Sequence, residues 1–356
     1  MQLTQKKRQR TDLLTVAAVA ALFVVMAALL YTGHLTRQVT NMLVPVAVYI
    51  VMAVSLNLVV GLLGELSLGH AGFMSVGAFT GIVVSASLAA AIPNGPLRLA
   101  ISMIVGGLFA GIAGLIVGIP VLRLKGDYLA IVTLAFGEII KNIINVLYIG
   151  LDEKGLHFSL LEQHFTLAEG GSMIINGPMG VGGVQKLSTF SSGVVLILIT
   201  LFLVLNLIHS RTGRAIMAVR DNKIAAESIG LSVTRYKLLA FVISAVFAGM
   251  AGTLYAMNFS TVTASKFDFN TSILILVFVV LGGLGNIWGS IIAAALLTVL
   301  PELLRSMNDY RMLIYAILLI VMMIFNNSGA KKRLTEYFSA QKEKRTAKKT
   351  AGKGAN

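Results

Sequence analysis

A glycine-rich stretch at residues 57–73 carries the densest set of polar side chains within the apolar part of the chain. It reads NLVVGLLGELSLGHAGF and combines an amide, a carboxylate, a hydroxyl and an imidazole. Ionisable groups in apolar surroundings usually face a cavity or a partner, and glycines let a helix unwind so that backbone groups can meet a zwitterionic ligand. We therefore expect a ligand path lined by these residues: Asn57, Glu65, Ser67, Gly69, His70 and Phe73.

Two of these side chains have simpler interpretations. Glu65 could lie at a membrane interface, and His70 could be a hydrogen-bonded packing residue. For His70 alone the packing interpretation is favoured, whereas the stretch as a whole favours a ligand path.

A second polar set lies in the apolar run that begins at Tyr128. Glu138 and Lys141 are three residues apart, so in a helix they share a face and can pair. One interpretation adds Glu138 and Asn142 to the ligand path. The other makes Glu138 and Lys141 an interfacial pair near the outer end of a span. Both remain open, because a buried pair need not stabilise a fold.

A third set is the charged segment 211–237, RTGRAIMAVRDNKIAAESIGLSVTRYK. Asp221 predicts the N-cap of a two-turn helix over 222–229, and Gly230 predicts its left-handed stop. Two alanines keep this helix thin enough to enter a groove of a soluble partner, and two isoleucines offer apolar contacts. The alternative is an ordinary solvated loop. The predicted docking residues are Arg220, Asp221, Ala225, Ala226, Glu227 and Gly230.

The sequence lacks the motifs of the common catalytic sites. It has no GxxxxGK[ST] phosphate loop, no His, Asp and Glu cluster with metal-ligand spacing, and no cysteine. We therefore expect no enzymatic activity, no metal and no bound cofactor in this chain, so that any ATP hydrolysis would belong to a partner.

The composition indicates how these sets are positioned. Hydrophobic residues make up 56% of the 356 residues and charged residues 12%, with a mean hydropathy of +0.85. Several apolar runs reach the length that crosses a bilayer, and they do not alternate as barrel strands do. The sequence predicts an all-α polytopic membrane protein with about 8–10 transmembrane helices, some of them glycine-broken or re-entrant.

The apolar runs place the spans, and we expect one transmembrane domain over 13–325. The connection at 150–190 is polar and glycine-rich, which predicts an extracytoplasmic loop, and 210–237 predicts a cytoplasmic one. Glycines at helical spacing, such as those at 107–118, predict close helix packing. The predicted spans cover residues 13–31, 42–60, 66–90, 97–119, 128–149, 194–208, 238–259, 273–281, 287–304 and 312–325.

A second glycine-rich turn follows residue 281 and reads GGLGN. We add Gly282 and Gly283 to the expected path, because glycine-interrupted segments in both halves of a chain suggest an inverted repeat.

The net charge of +14 is confined to three segments. Residues 1–12 carry +3, the segment 211–237 carries +4 and residues 331–356 carry +7. Excess Lys and Arg beside spans marks the cytoplasmic side, so both termini (1–12 and 326–356) and the charged segment should face inward. The basic tails suit anionic lipids better than nucleic acid.

Several stretches together carry a family resemblance: SLNLVVGLLGELSLGHAGFMSVGAF, GDYLAIVTLAFGEIIKNI, RTGRAIMAVRDNKIAAESIGLSVTRYKLLAF, VLGGLGNIWGS and LLTVLPELLR. With them the chain resembles, from about Val54 to Phe325, the permeases of branched-chain amino-acid ABC importers, in particular the M-type (LivM) subunit family.

The resemblance implies a subunit of a heteromeric importer in the bacterial plasma membrane. Its partners would be a second, LivH-like permease, two ATP-binding subunits that hydrolyse the ATP, and an extracytoplasmic substrate-binding protein. The implied substrates are leucine, isoleucine and valine. The residues that match the family's ATPase-coupling loop are Ala225, Ala226, Glu227 and Gly230.

Three alternatives remain at this point. A urea or short-amide ABC importer shares the architecture. A stand-alone secondary transporter would use Glu65, His70 or Glu138 as proton carriers. A membrane scaffold would use the charged segment only to recruit a partner.

Overall fold

A computed structural model describes residues 37–122, 128–152, 155–162 and 171–304, with isolated positions at 21, 165, 310 and between 313 and 320. The basic termini 1–12 and 326–356 lie outside the described residues, and the predicted spans 13–31 and 312–325 do so almost entirely. The described residues before Leu300 belong to one compact unit and those from Leu300 onward to a second. Both glycine-rich stretches and the charged segment lie within the first unit.

Helices dominate the described part of the chain. α1 is Arg37–Asn57 and continues into a π-helical turn, Leu58–Leu63. The later helices are α2 His70–Ser87, α3 Gly95–Val121, α4 Tyr128–Asn145, α5 Phe190–His209, α6 Arg211–Asp221, α7 Lys223–Ser228, α8 Val233–Ala256, α9 Phe269–Gly282 and α10 Ile287–Leu303.

Seven helical segments within the described residues are long and apolar enough to cross a membrane, and α10 is a shorter apolar helix. This confirms the all-α polytopic class. The seven segments are Val39–Leu63, His70–Ser87, Gly95–Val121, Tyr128–Asn145, Phe190–His209, Val233–Ala256 and Ala264–Gly282.

Small residues let α2 and α3 pack closely around α8. Gly77 of α2 lies so close to the backbone of Gly249 of α8 that a Cβ would not fit. A Cβ on Gly114 of α3 would lie 2.6 Å from that of Ala245. In a membrane such close approach drives helix association, because lipid leaves little hydrophobic gain between helices. The predicted packing role is confirmed for Gly114, and Gly77 has the same role without having been predicted.

The region predicted as a loop at 150–190 contains a small antiparallel sheet instead. Its strands are β1 Leu147–Asp152, β2 Gly155–Leu160 and β3 Ser172–Asn176, in the order β2-β1-β3. β1 takes the last residues of the predicted span 128–149, so α4 ends earlier, at Asn145. The reason is local: from residue 147 onward, apolar side chains alternate with polar or small ones, which suits a strand rather than a helix.

Candidate functional site

The first glycine-rich stretch breaks a membrane helix. After the π turn, Gly64 has φ +77° and an extended connection leads to His70 at the start of α2. Only glycine adopts this left-handed conformation without strain. The predicted glycine-broken character of residues 57–73 is confirmed.

The second glycine-rich turn breaks the chain between α9 and α10. Gly283 has φ +96° and Gly285 has φ +77°. Gly282 packs directly on the backbone of Gly289 and Ser290 at the start of the next helix, leaving no space for a Cβ. The chain therefore reverses within a few residues at this point.

The structure brings the two breaks into contact through the side chain of Asn57. Its Oδ1 accepts a hydrogen bond from the N–H of Gly285 at 2.9 Å. Its Nδ2 donates to Oγ of Ser290 at 3.0 Å. Gly61 lies against the backbone of Gly285 without room for a side chain. We call this contact between residues 57–64 and 282–290 the glycine joint.

Glu65 forms an ion pair with Lys237 of α8. The two side chains are only 15% and 10% exposed, respectively. Removing either partner would leave a largely buried charge, so the pair fixes the connection after the first break to α8. In this structure the carboxylate of Glu65 is therefore paired with a residue of its own chain.

The remaining residues of the first stretch are packed inside the chain. His70 is buried, with Nε2 2.8 Å from Oγ of Ser55, which favours the packing interpretation. Phe73 meets the ring of Phe241 edge-on at 5.4 Å. Gly69 lies against the backbone of Thr133 in α4.

Ser67 differs from its neighbours, because its buried Oγ has no hydrogen-bond partner among the described residues. A buried polar atom without a partner usually marks a bound water, an ion or a ligand. Within this stretch, Ser67 is therefore the residue whose hydroxyl is available to bind a water, an ion or a ligand. A role of the stretch in a ligand path stays a prediction.

The second polar set forms the predicted pair. Lys141 donates to Glu138 on the same face of α4, and Glu138 Oε1 accepts from the N–H of Phe269 at 3.2 Å. Phe269 is the first residue of α9, and Asp268 caps this helix by accepting a hydrogen bond from the N–H of Thr271 at 2.9 Å. Two carboxylates thus satisfy free N–H groups at the start of α9. This role favours the interfacial interpretation for Glu138.

The charged segment forms two helices instead of one. The N-cap of α7 is Asn222, whose Oδ1 accepts from the N–H of Ala225 at 3.0 Å. The prediction that Asp221 caps this helix is wrong, because Asp221 is the last residue of α6 and its carboxylate contacts Arg220 at 2.9 Å. Gly230 has φ +83° just beyond the helix, which confirms the predicted stop.

One face of α7 is seated on its own chain. Ala226 is buried in a small apolar cluster with Val219 of α6 and Val233 of α8. Ala226 is therefore unavailable to a partner, whereas Ala225 and Glu227 are exposed. The isoleucines of the segment, Ile224 and Ile229, are 79% and 74% exposed. Ile229 lies just beyond the last residue of α7. A role of these isoleucines in binding a partner stays a prediction.

Arg220 connects the charged segment to the glycine joint. Its Nη1 donates to the carbonyl oxygen of Gly61 at 3.1 Å, and its aliphatic stem packs on Gly64. The carbonyl of Gly61 lies near the end of a helix, where a cation is favourable. The same guanidinium also pairs with the exposed Asp221, and the Arg220 side chain is 39% exposed. The predicted docking role of Arg220 stays a prediction.

Within the part of the chain that the structure describes, no group of three or more His, Cys, Asp or Glu side chains lies close enough together to hold a metal ion.

Comparison with known proteins identifies the family. Residues 38–325 match the family described as "Branched-chain amino acid transport system / permease component". The chain is 38% identical over 292 residues to the high-affinity branched-chain amino acid transport system permease protein LivM of Escherichia coli, covering 79% of this chain and 67% of that protein.

Two more distant relatives broaden the picture. The chain is 25% identical over 305 residues to the fructose import permease protein FruG of Bifidobacterium longum, covering 83% of this chain and 84% of that protein. It is 22% identical over 306 residues to the permease protein LivH of Escherichia coli, covering 82% and 94%. No solved structure matches the chain.

The family match spans both breaks of the glycine joint and the two helices of the charged segment. It also spans each of the seven apolar helices that could cross a membrane. The chain therefore belongs to the family of permease components of branched-chain amino acid transport systems.

Proposed function

We propose that the chain is the permease subunit of an ATP-driven importer that carries branched-chain amino acids across the bacterial inner membrane. The observation that carries this proposal is the 38% identity to LivM over 79% of the chain. LivM is named as a permease of a branched-chain amino acid transport system, and the substrate is transferred from that name.

The subunit works with partners in this proposal. A second, homologous permease completes the path, two ATP-binding subunits hydrolyse ATP, and an extracytoplasmic protein delivers the substrate. The relationship to both LivM and LivH supports the permease pair. Both basic termini and the charged segment face the cytoplasm, where the tails also meet anionic lipids.

The ATPase contact is assigned to α7. Ile224 and Ile229 present exposed apolar side chains, Glu227 adds a charge, and the buried Ala226 holds the helix in place. A helix whose apolar residues enter a groove of the partner is a common mode of protein recognition. ATP-driven closure of the ATP-binding subunits would then act on a helix that is held against α6 and α8 by the packing of Ala226.

Transmission to the membrane runs through Arg220. Its contact with the Gly61 carbonyl joins the charged segment to the glycine joint, where two broken helices meet. Arg220 lies on α6, so a displacement of α7 that moves α6 with it would change this contact at the joint. Alternating access requires differential contacts in two states, and this contact is suited to supply one of them.

The path for the substrate is assigned to the region of the glycine joint. Broken helices leave backbone groups that can meet the charged ends of an amino acid. The unpartnered hydroxyl of Ser67 lies in the connection that follows the first break. An apolar side chain of the substrate would pass along the apolar remainder of the path.

A sugar is the second candidate substrate, because one relative is named as a fructose import permease. The test is uptake of labelled leucine in cells with and without this chain, in a strain without another leucine importer. Unlabelled valine, isoleucine, fructose and urea serve as competitors, and a protonophore is added in a parallel series that retains ATP.

The branched-chain proposal expects leucine uptake that depends on the chain, is reduced by valine and isoleucine, and survives loss of the proton gradient. Competition by fructose or urea instead would reassign the substrate while leaving an ABC importer. Loss of uptake with the proton gradient, at constant ATP, would contradict the ATP-driven mechanism.

A further inference from the structure

The hairpin of β1 and β2 has one continuous apolar face. Leu147 pairs with Leu160, Ile149 with Phe158, and Leu151 with Leu156. Directly paired residues of antiparallel strands point to the same side of the sheet, and alternate residues do too. Six apolar side chains therefore share one face of this hairpin, which we call the apolar hairpin face: Leu147, Ile149, Leu151, Leu156, Phe158 and Leu160.

The apolar hairpin face is turned outward along β2. Leu156, Phe158 and Leu160 are 53%, 64% and 46% exposed. On the opposite side of the same strand, Ser159 is buried and donates to the carbonyl oxygen of Glu162 at 2.6 Å. A strand that buries its polar residue and exposes its apolar ones is the reverse of what solvent favours.

β2 is also an edge strand. In the sheet order β2-β1-β3 it pairs only with β1, so within the described residues no strand covers its other edge. A flat apolar edge strand readily adds another chain, and proteins normally cover or blunt such edges. The combination of an exposed apolar face and an uncovered edge points to a partner in the assembled protein.

Lipid is a poor occupant for this surface. An open strand edge in hydrocarbon would leave backbone groups without hydrogen bonds. α4 leads into β1 after a single residue, and only 22% of its residues are buried. Asn142 is exposed on this membrane helix, and polar side chains there normally face protein or water rather than lipid. The helix and the hairpin together therefore form a surface that suits protein.

A permanent partner fits the apolar hairpin face better than a transient one. Transient contacts are small, and they are no more apolar than the rest of the protein surface. Obligate subunit contacts resemble a protein core cut in half. The hairpin offers a strand of six residues, about 20 Å long, with apolar side chains along it.

We propose that the apolar hairpin face is a contact surface for the second, homologous permease subunit. The inference rests on the proposed function only in that this chain works as one of a pair of permeases. It does not depend on which substrate the pair carries.

Site-specific cross-linking tests the proposal, and the chain is suited to it because it has no cysteine. Phe158→Cys is labelled with a maleimide-benzophenone in membranes that contain the complete transporter, and the sample is irradiated. Met179→Cys, at a side chain that is 76% exposed outside the hairpin, is the matched control. Products are identified by mass spectrometry.

The expected result is a product between Phe158→Cys and the homologous permease, formed several-fold more than from Met179→Cys. Products with lipid or with the substrate-binding protein only would overturn the proposal, and so would equal yields from both variants. A failed leucine-uptake assay would leave this result standing, so the two proposals fail separately.

A second variant measures the energetic importance of the contact. Phe158→Asp should lower co-purification of the homologous permease about five- to tenfold, because a charge replaces a large apolar contact. Met179→Asp, a change at a side chain that is 76% exposed outside the hairpin, is the control. Unchanged co-purification of a folded Phe158→Asp protein would contradict the proposal.

Discussion

Replacing Arg220 by alanine tests the contact between the charged segment and the glycine joint. The change removes the hydrogen bond to the Gly61 carbonyl, the packing of the stem on Gly64 and the exposed ion pair with Asp221, but it leaves the exposed residues of α7 in place. We therefore expect ATPase subunits to bind the variant normally. Movement of the ATPase subunits should, however, be transmitted less strongly to the glycine joint.

The size of the effect follows from the contact. Hydrogen bonds to charged groups contribute about 1.5–3 kcal/mol when well shielded. The Arg220 side chain is 39% exposed, so screening by water reduces the contribution to about 1–1.5 kcal/mol. A contact of this strength that exists in one of two transport states biases their equilibrium by roughly five- to tenfold.

The assay compares transport with ATP use in one preparation. Complete transporters are placed in liposomes, and labelled leucine uptake and ATP hydrolysis are measured side by side. Arg220→Ala should retain its ATPase subunits and its ATP turnover, while leucine uptake per ATP falls about five- to tenfold.

Arg214→Ala is the matched control, because Arg214 lies on the same helix and, among the described residues, its side chain donates to the nearby carbonyl of His209 at 2.9 Å rather than to the glycine joint. Arg220→Lys, which keeps a single charged donor, should give an intermediate value. Equal uptake per ATP in Arg220→Ala and Arg214→Ala would refute a transmitting role for this contact.

Three further predictions concern neighbouring contacts. Gly61→Ala should lower the free energy of unfolding by about 1–3 kcal/mol, because its Cβ would push the two breaks apart; thermal unfolding in detergent should show no such loss for Gly182→Ala, which lies in open space. Ile224→Asp should weaken ATPase pull-down about five- to tenfold without changing thermal stability, and pull-down at unchanged affinity would remove α7 from the ATPase contact. Lys237→Met should destabilise the protein by about 3–5 kcal/mol by leaving Glu65 unpaired; adding Glu65→Gln should restore most of the stability, and an equally unstable double variant would argue against the ion pair as the cause.

The sequence predicted those features that depend on local patterns. Apolar runs of sufficient length located the seven described helices that can cross a membrane, and the three-residue spacing of Glu138 and Lys141 predicted their contact. Gly230 predicted the end of α7 because a left-handed stop requires glycine or a close substitute. These signals lie within one or two helical turns of chain.

Features that depend on distant contacts were beyond such patterns. Asn57 and Gly285 are 228 residues apart, and nothing local to either glycine-rich stretch indicates that they bond. The N-cap of α7 was misplaced by one residue, because Asp221 and Asn222 are both good caps and the end of α6 decides between them. The strands of the hairpin were missed for a different reason: their alternation is local, but each strand has only six residues and β1 follows directly on the apolar run of α4.

The π turn at Leu58–Leu63 allows the apolar segment Val39–Leu63 to change its length at this end. A π turn holds one residue more than an α turn, because its hydrogen bonds join residues five apart instead of four. Converting it to an α turn would release that residue into the connection before His70 and rotate this connection by about 100°, with a rise of about 1.5 Å per residue. The span could thus lengthen or turn at its end while the hydrogen bonds of α1 stay intact.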